Sequence, residues 1–144
     1  MNIRRDYSTG IIIYFKFPKK IKYLLLKHRQ GHWAFCKGHK DTGETKMETA
    51  LRELREETGI TKIRFLRKSV LIRENYRIKN KEIIRKSVDF FIAEALRKKV
   101  KIDKSEILNY KWCSYKMSLR QITFSEAIST LKKANKIIEA NIND

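Results

Sequence analysis

An α/β domain with a mixed β-sheet sandwiched between α-helices is the fold class this sequence predicts, on three observations. Runs rich in β-branched and aromatic residues precede and follow a central amphipathic helical segment, and a second amphipathic segment closes the chain. The order strands, helix, strands, helix is that of a sheet covered on both faces. No Pro/Gly/Ser-rich linker or internal repeat divides the 144 residues. A single domain spanning residues 1–144 is therefore expected, long enough to bury a core without staples.

Ile11, Ile12, Ile13, Tyr14 and Phe15 form the first strand-like run, and Tyr23 to Lys27 the second. Phe17-Pro18-Lys19-Lys20 reads as the turn between them, which makes a hairpin in a buried sheet. His32 to Phe35 is a further short strand, and Gly38 to Thr45 a loop. Thr45 to Thr58 reads as a helix. Thr45 and Glu48 have capping-box spacing, and Gly59 sits where a C-terminal glycine belongs. Met47, Ala50, Leu51 and Leu54 share an arc of roughly 100° and are expected to face the core. Ile63 to Arg73 and Ile83 to Ala95 are strand-like, with basic turns between them, and Ile107 to Cys113 is another strand. Ser118 to Ile122 starts a small helix. Ser125 to Ala140 is a clear one, with Ala127, Ile128, Leu131, Ala134, Ile137 and Ile138 at helical spacing. Trp33 and Trp112 are expected in the core.

Composition limits the function classes. The 34 Lys+Arg against 16 Asp+Glu give a formal charge of +18, a field that attracts polyphosphates, nucleic acids and anionic surfaces. Bias toward lysine along the whole chain explains the same number equally well. Cys36 and Cys113 lie far apart without metal-type spacing, which argues against a disulfide framework or zinc cluster and for a reducing cytosol. The polar stretch Met1 to Gly10 does not read as a signal peptide. The longest apolar runs are too short to span a bilayer. A soluble cytoplasmic protein with no membrane partner is expected, and the oligomeric state is left open.

The polar side of the first helix carries Glu53, Glu56 and Glu57 at i, i+3 and i+4. Like charges so placed repel and destabilise an isolated helix. Two readings offset that repulsion: a solvated face relieved by Arg52 and Arg55, or a site for a divalent cation, since Mg²⁺ prefers carboxylate and phosphate oxygens.

The surrounding residues favour the second reading. Gly38-x5-Glu44-x7-Arg52-Glu53-Leu54-Arg55-Glu56-Glu57-Thr58-Gly59-Ile60 resembles the box of the Nudix hydrolases at every fixed position. The resemblance implies the Nudix fold, with the box as loop–helix–loop, and Mg²⁺ or alternatively Mn²⁺ on the box helix. Carried over, Glu56 and Glu57 are metal ligands and Glu53 is a ligand or base. The Gly38 carbonyl completes the site, Arg52 orients a glutamate, and Glu44 braces the loop. The implied chemistry is hydrolysis of a phosphate anhydride. The cation neutralises charge and acidifies water, and a carboxylate takes the proton as water attacks phosphorus.

Trp33-Ala34-Phe35-Cys36-Lys37-Gly38-His39 resembles the Trp-x-Phe-Pro-Lys-Gly-His segment of the subgroup that splits diadenosine tetraphosphate into ATP and AMP. Cys36 stands where proline is usual, which alters the loop's stiffness. Arg85 to Ala93, and Glu106 to Trp112 with the helix from Ser125, resemble further parts of that subgroup. A nucleotide polyphosphate is thus the expected partner. Lys37, His39 and Lys86 are candidates for its phosphates. Tyr76 is a phosphate contact or a half-buried tyrosine. Tyr110 either stacks on adenine, as rings do with bases, or belongs to the core. Glu106 resembles an acidic residue that assists metal or water, with a plain strand-end carboxylate as the alternative. Competing activities are pyrophosphate or cap removal from RNA 5′ ends, which the charge favours, and nucleoside triphosphate pyrophosphohydrolysis. A binding module without turnover is the remaining alternative, disfavoured by the presence of all three box glutamates.

Overall fold

Pro18 and Lys19 close a hairpin between β1 (Ile3–Phe17) and β2 (Lys20–His28), paired from Tyr14↔Tyr23 to Phe17↔Lys20. Phe17 and Lys20, expected in the turn, are strand residues. The computed structural model describes residues 3–66, 72–79 and 83–142, without the side chains of Tyr76, Ile78, Lys79 and Ile142. After the hairpin come β3 (Trp33–Ala34), β4 (Cys36–Gly38), α1 (Lys46–Thr58), β5 (Ile63–Phe65) and β6 (Ile72–Lys79). The chain continues through β7 (Ile83–Ala95), β8 (Ile107–Ser114), α2 (Tyr115–Gln121) and α3 (Ser125–Ile142).

The eight described strands form one mixed sheet. β1 and β7 run parallel, and the other described pairs are antiparallel. The continuous apolar run in β1 follows from burial on both faces. Successive side chains alternate in direction. Ile12 and Tyr14 enter a core with Tyr23, Leu25, Phe90 and the α3 residues Leu131, Ala134 and Ile138. Ile11 and Ile13 enter the opposite core with Leu26, Phe91 and the α1 residues Ala50 and Leu54. The sandwich of helix, sheet and helix that the pattern predicts is the one observed.

The helix α1 ends as the sequence dictates. Thr45 accepts from the Glu48 amide at 3.1 Å, and Glu48 Oε1 accepts from the Thr45 amide at 3.0 Å. Gly59 takes φ 72°, the left-handed conformation, and its N–H donates to the Arg55 carbonyl. Glycine adopts that conformation without the strain a β-carbon brings.

Several expectations need correction. Met47 and Leu51 are each 37% exposed, whereas Ala50 and Leu54 are fully buried. The buried arc is rotated toward Thr49, Glu57 and Thr58. Small residues at 49, 50 and 58 let the helix lie close to the sheet, and the bulkier Met47 and Leu51 are left at the rim. Ile63 to Arg73 is two strands rather than one. β5 and β6 both pair antiparallel with β7, but the register steps from Phe65↔Ala93 to Ile72↔Phe90. That step leaves more chain than an unbroken ladder takes up. Residues 74–79, read as part of a basic turn, belong to β6, and the polar N-terminal stretch from Ile3 belongs to β1. Apolar periodicity does not reveal them, because the start of β1 is mostly exposed on both faces and β6 carries the buried Glu74 on its inner face. The run His32 to Phe35 is strand only at Trp33–Ala34, and pairing resumes at Cys36, giving β3 and β4. Trp33 and Trp112 are half-buried, each packed against one of the two cores.

Candidate active site

The capped helix α1 presents its box residues to the loop that precedes it, and Arg52 ties the two together. Its Nε donates to Glu44 Oε2 at 2.7 Å and its Nη2 to Glu44 Oε1 at 3.1 Å, a bidentate pair. Nη2 also donates to the His39 carbonyl at 2.8 Å. Nη1 reaches Glu53 Oε1 at 2.9 Å and Glu56 Oε2 at 3.1 Å. Arg52 therefore braces the 39–45 loop and orients two glutamates. Glu44 also accepts from the Asp41 amide and the Thr49 hydroxyl. The Arg52 hydrogen bond, then the Asp41 amide, hold its carboxyl down at about 2.

Glu57 is only 5% exposed. The Cys36 thiol and the Lys37 amide lie beside its carboxylate and pull its pKa down, but Oε1 has no partner. Burial nonetheless pushes the Glu57 carboxyl up to about 8, with help from Glu53 and Glu106. Burial likewise raises Glu53. A β-carbon on Gly38 would collide with the Glu53 carboxylate, so glycine is what lets that carboxylate lie against the β4 backbone.

These features fit a divalent cation held by carboxylates. An orphaned buried oxygen, two carboxyls raised chiefly by burial and a glycine cradle make a set of oxygen donors whose charged forms a cation would favour. Glu53, Glu56, Glu57 and Glu106 line one cleft of about 1770 Å³. Among the described residues no three acidic, histidine or cysteine side chains are placed to hold a metal ion together. As they stand, Glu53 and Glu56 are taken up by Arg52.

The other walls of the cleft are basic. Lys37, His39 and Lys86 all line it, as the sequence predicts, together with Arg5, Arg73, Arg77 and Arg85. Asp6 holds two of them: His39 Nε2 lies 2.7 Å from its Oδ1 and Lys86 Nζ 3.9 Å from its Oδ2. Tyr110 is not in this cleft. It lines a separate groove with Lys20, Lys22 and Met117 along the β2–β8 edge. The Tyr76 backbone pairs with Lys86, while its side chain lies outside the described residues.

Sequence reasoning missed part of the lining. His28 and His32 stack at 4.9 Å, and His32 meets Phe124 at 5.3 Å, forming an aromatic rim. Burial, then the neighbouring His32, lowers His28 to about 4, so the ring is neutral near pH 7. His32 directly precedes the Trp33 segment, the one cue that pointed to it. Arg5, Asp6 and Tyr7 sit in the stretch read only for the absence of a leader, and charge alternation on a strand gives no signal of its own.

An acidic helix facing basic walls across an open cleft is the layout of a phosphate-processing site. The NUDIX domain model matches residues 5–131, and the chain belongs to that family. Among its curated relatives, asymmetrical bis(5′-nucleosyl)-tetraphosphatase of Caenorhabditis elegans is 32% identical over 88% of this chain and 91% of its own. The Mus musculus protein of the same name is 35% identical over 91% and 94%. The crystal structure of a C. elegans Ap4A hydrolase binary complex superposes with a TM-score of 0.78 at 28% identity, covering 94% of this chain and 98% of that one.

Proposed function

We propose that this chain hydrolyses dinucleoside polyphosphates, splitting diadenosine tetraphosphate into ATP and AMP, with Mg²⁺ as the ion and Mn²⁺ as a substitute. The observation that carries the reading is the buried, unpartnered Glu57 oxygen beside Glu53, opposite a basic wall. The names of the relatives, at 32% and 35% identity over most of both chains, support the substrate class.

Glu53, Glu56 and Glu57 would hold the ion, with the Gly38 carbonyl and Glu106 as further oxygen donors. The bound ion supplies charge neutralisation and water acidification. Lys37, His39 and Lys86 grip the phosphates and fix the chain in the cleft. Glu57 or Glu53 accepts the proton of the attacking water. The water oxygen bonds to phosphorus and the bridging P–O bond breaks. The electron pair stays on the departing phosphate. Arg52 and Glu44 act by positioning, since they touch the carboxylates and the loop. The buried unpaired thiols of Cys36 and Cys113 support a reducing, cytosolic setting. Among the described residues no helix is long and apolar enough to cross a membrane.

Incubation with Mg²⁺ and diadenosine tetraphosphate, followed by ion-exchange chromatography, tests the reading. ATP plus AMP is expected. Two ADP molecules, or no turnover, refute it. A second reading, attack on RNA 5′ ends, draws support from the +18 charge. Faster turnover of 5′-triphosphate RNA than of the dinucleotide would put it first.

A further inference from the structure

Strand register brings three arginines into one row. Arg5 pairs with Arg85 across the parallel β1–β7 ladder, and Arg77 pairs with Arg85 across the antiparallel β6–β7 ladder. Direct cross-strand partners project from the same sheet face, with strands about 4.8 Å apart. Like charges so placed destabilise a sheet. All three side chains are exposed, and none has an acidic partner among the described residues. Neighbouring cations do have acidic partners: Arg73 and Lys46 share Asp89, and Lys86 reaches Asp6. The row is thus a local excess of positive charge that the fold tolerates rather than cancels.

The neighbouring rows add a ring. Tyr7, Ser87 and Asn75 stand next inward, followed by Thr9, Asp89 and Arg73. Tyr7 is 38% exposed. Lys46 and the Arg73 guanidinium each lie 5.4 Å from its ring centroid, and Arg73 Nη2 donates to its hydroxyl at 3.1 Å. The ring is therefore held in place while still reachable. The three arginines and Tyr7 all border the cleft.

We propose that the Arg5–Arg85–Arg77 row, with Tyr7 beside it, is a binding strip for single-stranded nucleic acid. The arginines take successive backbone phosphates and Tyr7 offers a face to a base. Charge that tracks a backbone, interleaved with an aromatic platform, is how single strands are bound without sequence preference. Inorganic polyphosphate shares the charge but has no base to stack, so Tyr7 favours the nucleic acid. The strip stands whichever linkage the acidic helix cuts.

The test is fluorescence anisotropy of a 3′-labelled oligoadenylate RNA with the full chain in EDTA, which stops hydrolysis. The variant Arg5→Ala/Arg77→Ala/Arg85→Ala is expected to bind at least about tenfold more weakly. Its salt slope should be shallower by about 2, at about 0.7 for each single-strand phosphate left unneutralised. Its melting temperature should not fall, because repulsion is relieved. Arg85→Gln alone should show the same weakening in smaller measure, which covers a misfolded triple variant. Tyr7→Leu should weaken RNA but leave binding of inorganic polyphosphate unchanged. Lys20→Ala/Lys22→Ala/Lys111→Ala removes equal charge from the β2–β8 groove and should bind as wild type. Equal weakening in the lysine and arginine variants would overturn the strip. So would a silent Tyr7→Leu with polyphosphate binding as tightly as RNA. The diadenosine tetraphosphate assay is read separately, so its failure leaves this result intact.

Discussion

At the scale of single residues, Glu57 carries the most chemistry. Its folded pKa is raised above the unfolded value, from 4.5 to about 8. The protonated form is thus favoured by folding, and its stabilisation is complete below pH 4.5 and lost as pH rises toward 8. His28 has the opposite sign. Lowered from 6.5 to about 4, it contributes stability above pH 6.5 that is lost on acidification. Between pH 6.5 and 8 only Glu57 of this pair acts. Metal-free protein should lose up to about 1.4 kcal/mol per pH unit there, and Glu57→Gln should remove that dependence while losing most turnover. Urea titrations across that range check the first part. Near-normal rates of the variant at saturating Mg²⁺ would remove Glu57 as an essential ligand. Gly38→Ala is the complementary residue test. Its β-carbon would displace the Glu53 carboxylate, so turnover should collapse while the circular dichroism spectrum stays native. An active Gly38→Ala enzyme would mean Glu53 does not need that cradle.

At the scale of elements, α1 shows what a helical wheel reads and what it misses. The caps at Thr45 and Gly59 were legible because capping is local chemistry, settled within a few residues. The buried face was misjudged because the sheet, not the wheel, decides which arc is covered. Leu54→Ala, at a fully buried position, should cost about 2–5 kcal/mol. Leu51→Ala, at 37% exposure, should cost under about 1 kcal/mol. Chemical denaturation of the two variants measures the contrast, and equal costs would contradict the observed rotation. β6 was hidden because Glu74, on its inward face two residues from Ile72, is buried and accepts from the Thr130 hydroxyl of α3, so a charge interrupts the apolar side of the alternation that marks a half-buried strand.

At the scale of the whole molecule, charge distribution matters more than its total. The formal +18 surrounds a cleft in which six Lys and Arg side chains share the lining with the carboxylates of the helix and of other elements. Such a cleft draws a polyanion in by its long-range field, which salt screens over about 10 Å at 0.1 M. Raising ionic strength should therefore lower kcat/KM for diadenosine tetraphosphate while leaving kcat nearly constant at fixed free Mg²⁺. Stopped-flow and steady-state measurements at several KCl concentrations test this, and a salt-independent kcat/KM would show that the basic walls do not steer substrate.

What the amino-acid order determined by itself was local: the hairpin, the capped box helix, the closing helix, and the glutamate spacing with its family pattern. Those features depend on neighbours a few positions apart, and backbone geometry fixes them wherever the segment sits. Tertiary structure alone decided which carboxylate is buried, since Cys36 and Lys37 come to Glu57 through β4 packing. It placed Asp6 between His39 and Lys86, put Tyr110 on another edge, and set Arg5, Arg77 and Arg85 in one row. Pairing across strands joins residues dozens of positions apart, and its register is set by the packed sheet as a whole rather than by any one segment.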